Sequence, residues 1–130
     1  MATVLLSYAI EDQLAAALVG RALESEDHTL TEDNRLPTNA KRRDEMERQL
    51  REAEVVVVLW SPHAARSERV HFEARYAIEH DKLVAVQVQA CEIPPTLCVV
   101  EAVNLETWNG DAGGLEVRRL ADAIAGCAKR

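Results

Sequence analysis

The sequence predicts a single α/β domain: a parallel sheet with helices on both faces. Three observations predict it. Apolar, β-branched runs alternate with stretches of helical periodicity along the chain. One run, from Val55 to Trp60, is apolar at every position, as a strand covered on both faces must be. The chain has 130 residues, enough for one core that buries roughly two-thirds of the unfolded surface, so 1–130 reads as one domain.

The elements follow in order. Residues 3–7 form an apolar first strand. Residues 11–25 carry Leu14, Leu18 and Ala22 at helical spacing, with Val19 and Leu23 beside them, and predict a first helix. Glu11 and Asp12 stand in its first turn, where the helix dipole favours anions. Gly20 costs about 1 kcal/mol there relative to alanine, which close packing on a sheet would explain. Residues 28–31 form a short second strand, and 33–39 a polar loop containing Pro37. Residues 40–52 form a second helix whose stripe is Met46, Leu50 and Ala53. Residues 55–60 form the third strand, ended by Ser61-Pro62. Ser67 is placed to cap a third helix running to about Glu79, with Val70, Ala74, Ala77 and Ile78 as its stripe. Residues 83–88 form a fourth strand, 91–97 a loop with Pro94-Pro95, and 99–105 a fifth strand. A turn-rich link with Asn109-Gly110 and Gly113-Gly114 leads to a closing helix over residues 115–127.

Strict alternation of strand and helix argues for right-handed crossovers onto a parallel sheet. A three-layer, flavodoxin-like order 2-1-3-4-5 is expected, with its switch point between strands one and three.

Composition narrows the function. The net charge is -7, which argues against a nucleic-acid backbone or an anionic membrane as partner. Lys41, Arg42 and Arg43 form one basic cluster, but Asp44, Glu45 and Glu47 follow, so it reads as a solvated helix face before a phosphate site. Cys91, Cys98 and Cys127 make no CxxC pair and no even framework, which fits a reducing compartment. No apolar run is long enough for a membrane span, and the N-terminus lacks the basic flank of a signal peptide. The cytoplasm is the expected location. No phosphate-loop, nucleophile-elbow or zinc motif is present, and His28, His63, His71 and His80 have no metal-ligand spacing. Neither a metal nor a cofactor is expected.

Ligands of such sheets bind beyond the carboxyl ends of the strands at the switch point. That rule selects Ser7, Tyr8, Arg35, Trp60, Ser61 and the start of the third helix. Glu73 is the awkward residue there. At about 100° per residue it falls roughly 60° from Val70 and 40° from Ala77, on the border of the apolar stripe. It is either paired with a neighbouring cation or a carboxylate in a cleft. Phe72 and Tyr76, one turn apart on the side away from Val70, either close the core edge or form a protein-binding patch.

These residues resemble the Toll/interleukin-1 receptor (TIR) domain family. VLLSYAIEDQ looks like its opening strand and SYA-x-x-D loop, and LTEDNRLP like its second strand and BB loop. VVVVLWSPHAARSERVHFEARYA resembles the third strand and third helix of bacterial members, and VNLETWNGD the end of the fifth strand. The resemblance covers nearly the whole chain. It implies one of two kinds of work: assembly with other TIR domains, as homo-oligomers or filaments, or cleavage of NAD+ at the nicotinamide–ribose bond, often in defence or virulence. NAD+ would then be the substrate. The family's catalytic glutamate matches Glu73. By the same resemblance Tyr8 would lie on the nicotinamide side, Arg35 near the ribose or phosphates, and Trp60 and Ser61 on the floor. The loop around Pro37, with Phe72 and Tyr76, would form the interaction surface. Two positions depart from the family pattern. Arg69 stands where family enzymes carry Trp, four residues before the glutamate, and Thr38 follows Pro37 where Gly is usual. Arg69 would either pair with Glu73 or bind diphosphate.

Overall fold

The computed structural model describes residues 3–25, 28–32, 40–91, 97, 102–106, 108 and 114–128, with 30–32 and 40–43 as backbone alone. In order these form β1 (Thr3–Ser7), a 3-10 turn (Ile10–Asp12), α1 (Gln13–Ser25), β2 (Thr29–Glu32), α2 (Ala40–Glu52) and β3 (Val55–Trp60). A second 3-10 turn (Ala64–Arg66), α3 (Glu68–Glu79), β4 (Leu83–Gln87), β5 (Val103–Asn104) and α4 (Leu115–Ala128) complete it. The strands form one sheet in the order β2-β1-β3-β4-β5, and every neighbouring pair is parallel.

The sheet divides the core in two because side chains alternate along each strand. Val4, Leu6, Val55, Val57 and Leu59 face α1 and α4, where they meet Val19, Leu23, Leu120 and Ile124. Leu5, Val56, Val58 and Trp60 face α2 and α3, where they meet Met46, Leu50, Val70, Ala74 and Ala77. β3 is buried at all six positions, as its unbroken apolar run requires.

Helix α1 sits differently from the expected stripe. Its buried face is Ala16, Val19, Gly20, Ala22 and Leu23. Leu14 is 84% exposed and Leu18 40% exposed, one turn apart on the side of α1 away from the sheet. Leu14 lies about 140° around the helix from Val19, so one face cannot bury both. The small residues Ala16, Gly20 and Ala22 hold the helix close to the strands, and the two leucines stay outside. In α2 the expected residues Met46, Leu50 and Ala53 are all buried. Asp44 is exposed and Glu45 and Glu47 half-buried; the side chains of Lys41, Arg42 and Arg43 lie outside the described residues.

Lys82 closes α2 from outside. Its ammonium donates to the carbonyl oxygens of Leu50 and Ala53, the latter at 2.9 Å, where the helix end leaves acceptors unpaired. Burial pulls the Lys82 pKa below its ordinary 10.5, partly opposed by the charge of Cys127. The expected fifth strand, residues 99–105, is described only at its end, and 98–101 lie outside the described residues. Among the described residues no helix is long and apolar enough to cross a membrane.

Candidate active site

The crevice between β1 and β3 is set by their register, which pairs Ser7 with Val58. Beyond Ser7 the chain leaves β1, β3 runs on beside β4 as far as Trp60, and α3 starts beyond the same carboxyl edge. Ser67 caps α3: its hydroxyl accepts from the Val70 N–H at 3.3 Å, and Glu68 occupies the first turn. The helix ends at Glu79, and Asp81, just past its His80 cap, has the left-handed φ of 54° that stops helices. Between these ends Val70, Ala74 and Ala77 lie on the sheet. Two alanines on the contact face allow a close approach, and this brings Glu73 against β1.

Glu73 is 0% exposed, and so is Ser7. The Ser7 hydroxyl donates to Glu73 Oε1 at 2.7 Å. A carboxylate removed from water must recover its lost hydration from such bonds, and a charge-assisted one is among the strongest available. The helical wheel placed Glu73 at the border of the apolar stripe; the structure places it fully inside. One turn earlier on α3, the Arg69 guanidinium donates to the backbone carbonyl of Tyr8. The two bonds tie α3 to consecutive residues of the β1 terminus.

A third bond ties the 3-10 turn after β1 to the loop after β3. The Ser61 hydroxyl donates to Asp12 Oδ2 and accepts from the Ala64 N–H at 3.1 Å. Asp12 and Ser61 are both buried. Asp12 was expected to do no more than favour the helix dipole. In the structure the Asp12 N–H donates to the Ala9 carbonyl at 2.8 Å, closing a 3-10 turn that folds the carboxylate inward. The signal was in the sequence: Asp12 is the last residue of the SYAIED segment.

The other expected residues fall as follows. Trp60 is fully buried, in the same core layer as Ala9, with its ring tilted against His71 at 6.2 Å. Its indole N–H meets no acceptor among the described residues. Tyr8 is also buried, but on the other side of the sheet, with Val4 and Leu6. Strand alternation puts its ring in the α1/α4 layer, away from Ser7 and Glu73, and its carbonyl accepts from Arg69 at the crevice. Phe72 is 39% exposed. Tyr76 is engaged within the chain: it stacks on His80 at 4.1 Å, and the Lys82 ammonium lies 5.3 Å above its ring. Arg35 and Pro37 lie outside the described residues.

Cys91, a free thiol after β4, lies near this edge. Burial pushes its pKa above the ordinary 9.0, and the charges of Glu106 and Asp12 push it further. Among the described residues no group of three or more His, Cys, Asp or Glu could hold a metal ion.

A parallel sheet with its switch point at β1 and β3, and a buried carboxylate one layer below the carboxyl edge, define a class of α/β domain with a crevice site. The model of the TIR domain family matches residues 4–121, and the chain belongs to that family. Among solved structures it is similar to the TIR domain of the Toll-related receptor TRR-2 from the lower metazoan Hydra magnipapillata. The TM-score is 0.74 with 19% identity, over 96% of this chain and 99% of the Hydra chain. At that identity the likeness shows the fold. No curated protein matches the sequence.

Proposed function

We propose that this TIR domain is an NAD+ nucleosidase with Glu73 as its catalytic carboxylate. The observation that carries the reading is a glutamate, wholly removed from water and held by Ser7, at the β1/β3 switch point. Burying a carboxylate is costly, and a position on the opposite face of α3 would have cost nothing.

The chemistry needs little more than this group. The bond that breaks joins C1′ of the ribose to the pyridinium nitrogen. The electron pair leaves with nicotinamide, which departs neutral and needs no general acid. The remaining oxocarbenium-like centre is positive, and a carboxylate beside the ribose hydroxyls stabilises it. Water then gives ADP-ribose; attack by the adenine ring gives a cyclic isomer. Because Glu73 has no exposed surface, the crevice must open before substrate arrives. TIR domains interact with other TIR domains, and we assign the opening to self-assembly, in bacterial defence or virulence signalling. The partners are NAD+ and further TIR domains, in the cytoplasm.

The test is nicotinamide release from NAD+ by concentrated domain, beside Glu73→Gln. Glutamine keeps an acceptor for the Ser7 hydroxyl and the same volume, so the variant should fold. Release should fall by at least about a hundredfold, the scale of losing one transition-state electrostatic contact. An unchanged rate would reject Glu73 as the catalytic group.

One observation favours a second reading, a non-enzymatic module that assembles through the BB loop around Pro37 and the third helix. Phe72 presents a ring to solvent on that helix. No release at any concentration, with self-association lost on Phe72→Ser, would favour it.

A further inference from the structure

We propose that the indole N–H of Trp60 is a ligand donor, placed to take the carboxamide oxygen of a pyridine carboxamide such as nicotinamide. Naming that ligand rests on the NAD+ reading above; the unanswered donor does not.

Trp60 is the last residue of β3 and is fully buried. Its N–H meets no acceptor among the described residues. The large majority of buried polar groups in folded proteins are paired, so this one needs a physical reason. Packing does not supply it. The layer at the β3 terminus is apolar, with Ala9, Ala64, Val70 and Leu97. A phenylalanine would fill the same layer with no donor to bury. His71 does not supply it either. Its ring lies tilted against the indole at 6.2 Å, and its Nε2 N–H donates to the Ala65 carbonyl at 2.7 Å. That bond holds the ring on which Trp60 packs and leaves the indole N–H unanswered.

The strand register places the donor relative to Glu73. Ser7, which holds Glu73, pairs with Val58. Trp60 is two residues beyond Val58, in the same core layer. Its Cα therefore lies roughly 6.5 Å nearer the carboxyl edge than Ser7 and about 4.8 Å across, on the neighbouring strand. One nicotinamide riboside spans that interval. With its ribose hydroxyls at the Glu73 carboxylate, its pyridine ring reaches the Trp60 layer.

The chemistry of the layer selects the acceptor. A flat apolar ring suits it, and one convergent polar group is enough to orient such a ring. An ionised acceptor would lose its water there and stand near two acidic side chains, Glu73 and Asp12, both buried at this edge. A carboxamide oxygen is neutral and accepts well. Trp60 thus separates nicotinamide from nicotinate, and from a pyridine that carries no acceptor.

The experiment follows the isotope-labelled indole N–H signals of this chain by NMR as nicotinamide is added. Trp108→Phe identifies which of the two indole signals belongs to Trp60. Without ligand that signal should lie upfield, at the position of an unbonded N–H. Nicotinamide should move it downfield; nicotinate and unsubstituted pyridine should not. A signal already at the bonded position without ligand would mean that water answers the donor. That result, a signal unmoved by nicotinamide, or an equal shift with pyridine would overturn the proposal. In turnover, Trp60→Phe keeps a ring in the layer and loses the donor. KM for NAD+ should rise about tenfold with kcat little changed, as when a contact present both before and during bond cleavage is lost. The thionicotinamide analogue of NAD+, whose sulfur accepts poorly, should show almost no change. An equal loss on both substrates would reduce Trp60 to packing and count as a refutation. If Trp60→Phe does not fold, the titration of the parent chain decides alone. If no form releases nicotinamide, the NAD+ reading fails, and the Trp60 signal still decides the donor.

Discussion

Glu73 shows what a single side chain costs and returns. Its carboxylate gives up water and takes the Ser7 hydroxyl at 2.7 Å in exchange. Ser7→Ala should lower stability by about 1.5–3 kcal/mol, the worth of a hydrogen bond to a charged group, read from the urea midpoint at constant slope. A smaller shift would mean that other partners carry the carboxylate. Cys91 offers a second residue-scale test. Its thiol is raised above 9.0 by burial and by the Glu106 and Asp12 charges. A raised thiol holds its proton longer in the folded state than in the unfolded chain. Its contribution to stability is thus complete below pH 9.0 and is lost as pH rises through the folded-state value. Only the thiolate reacts, so alkylation at the Cys91 peptide should stay slow at pH 8.5 and reach half its limit above pH 9.0. Asp12→Asn should move that midpoint down. At this scale the sequence was legible in part. A helical wheel marks Glu73 as awkward but cannot tell border from interior, because that depends on how close Ala74 and Ala77 let the helix come. Tyr8 was assigned to the crevice from its place at a strand end; the two-residue period of β1 sends its ring to the other layer, a parity that only the register with β3 fixes.

Among the elements, β1, α2 and β3 were legible residue by residue, because each carries one unambiguous period or an unbroken apolar run. Helix α1 was found in place but turned. Hydropathy weights Leu14 and Leu18 above Ala16 and Gly20, whereas the sheet selects the residues that permit closest approach. Leu14→Gln should therefore change stability by less than about 0.5 kcal/mol. Val19→Ala, on the buried face, should cost more than 1 kcal/mol, by about the transfer of two methyl groups. A large loss at Leu14 would restore the stripe read from the sequence. The end of α2 was not legible at all. Its last carbonyls are satisfied by Lys82, about thirty residues away in sequence, and no local pattern announces a cap donated from the start of another strand.

For the whole molecule, the parallel α/β class was legible from alternation alone, since few topologies satisfy short right-handed crossovers. The candidate site was legible to the level of the strand ends and Glu73. What joins them, the bonds from Arg69 to Tyr8, Ser61 to Asp12 and Ser7 to Glu73, was not. Those contacts span about fifty to sixty-five residues of chain and exist only once the sheet has set its order. The strand at the centre of that order has a second side. Val55–Trp60 is six residues without charge, proline or glycine, which is also the composition of segments that stack into fibrils when left uncovered. During synthesis it leaves the ribosome before α3 and β4 exist to cover it. Glu54 directly before it and Ser61-Pro62 directly after it bound the run with a charge and a residue that cannot extend a ladder. The segment that makes the native sheet possible is thus framed by a charge and a proline, the two kinds of residue that disfavour pairing of such a run with its own copies.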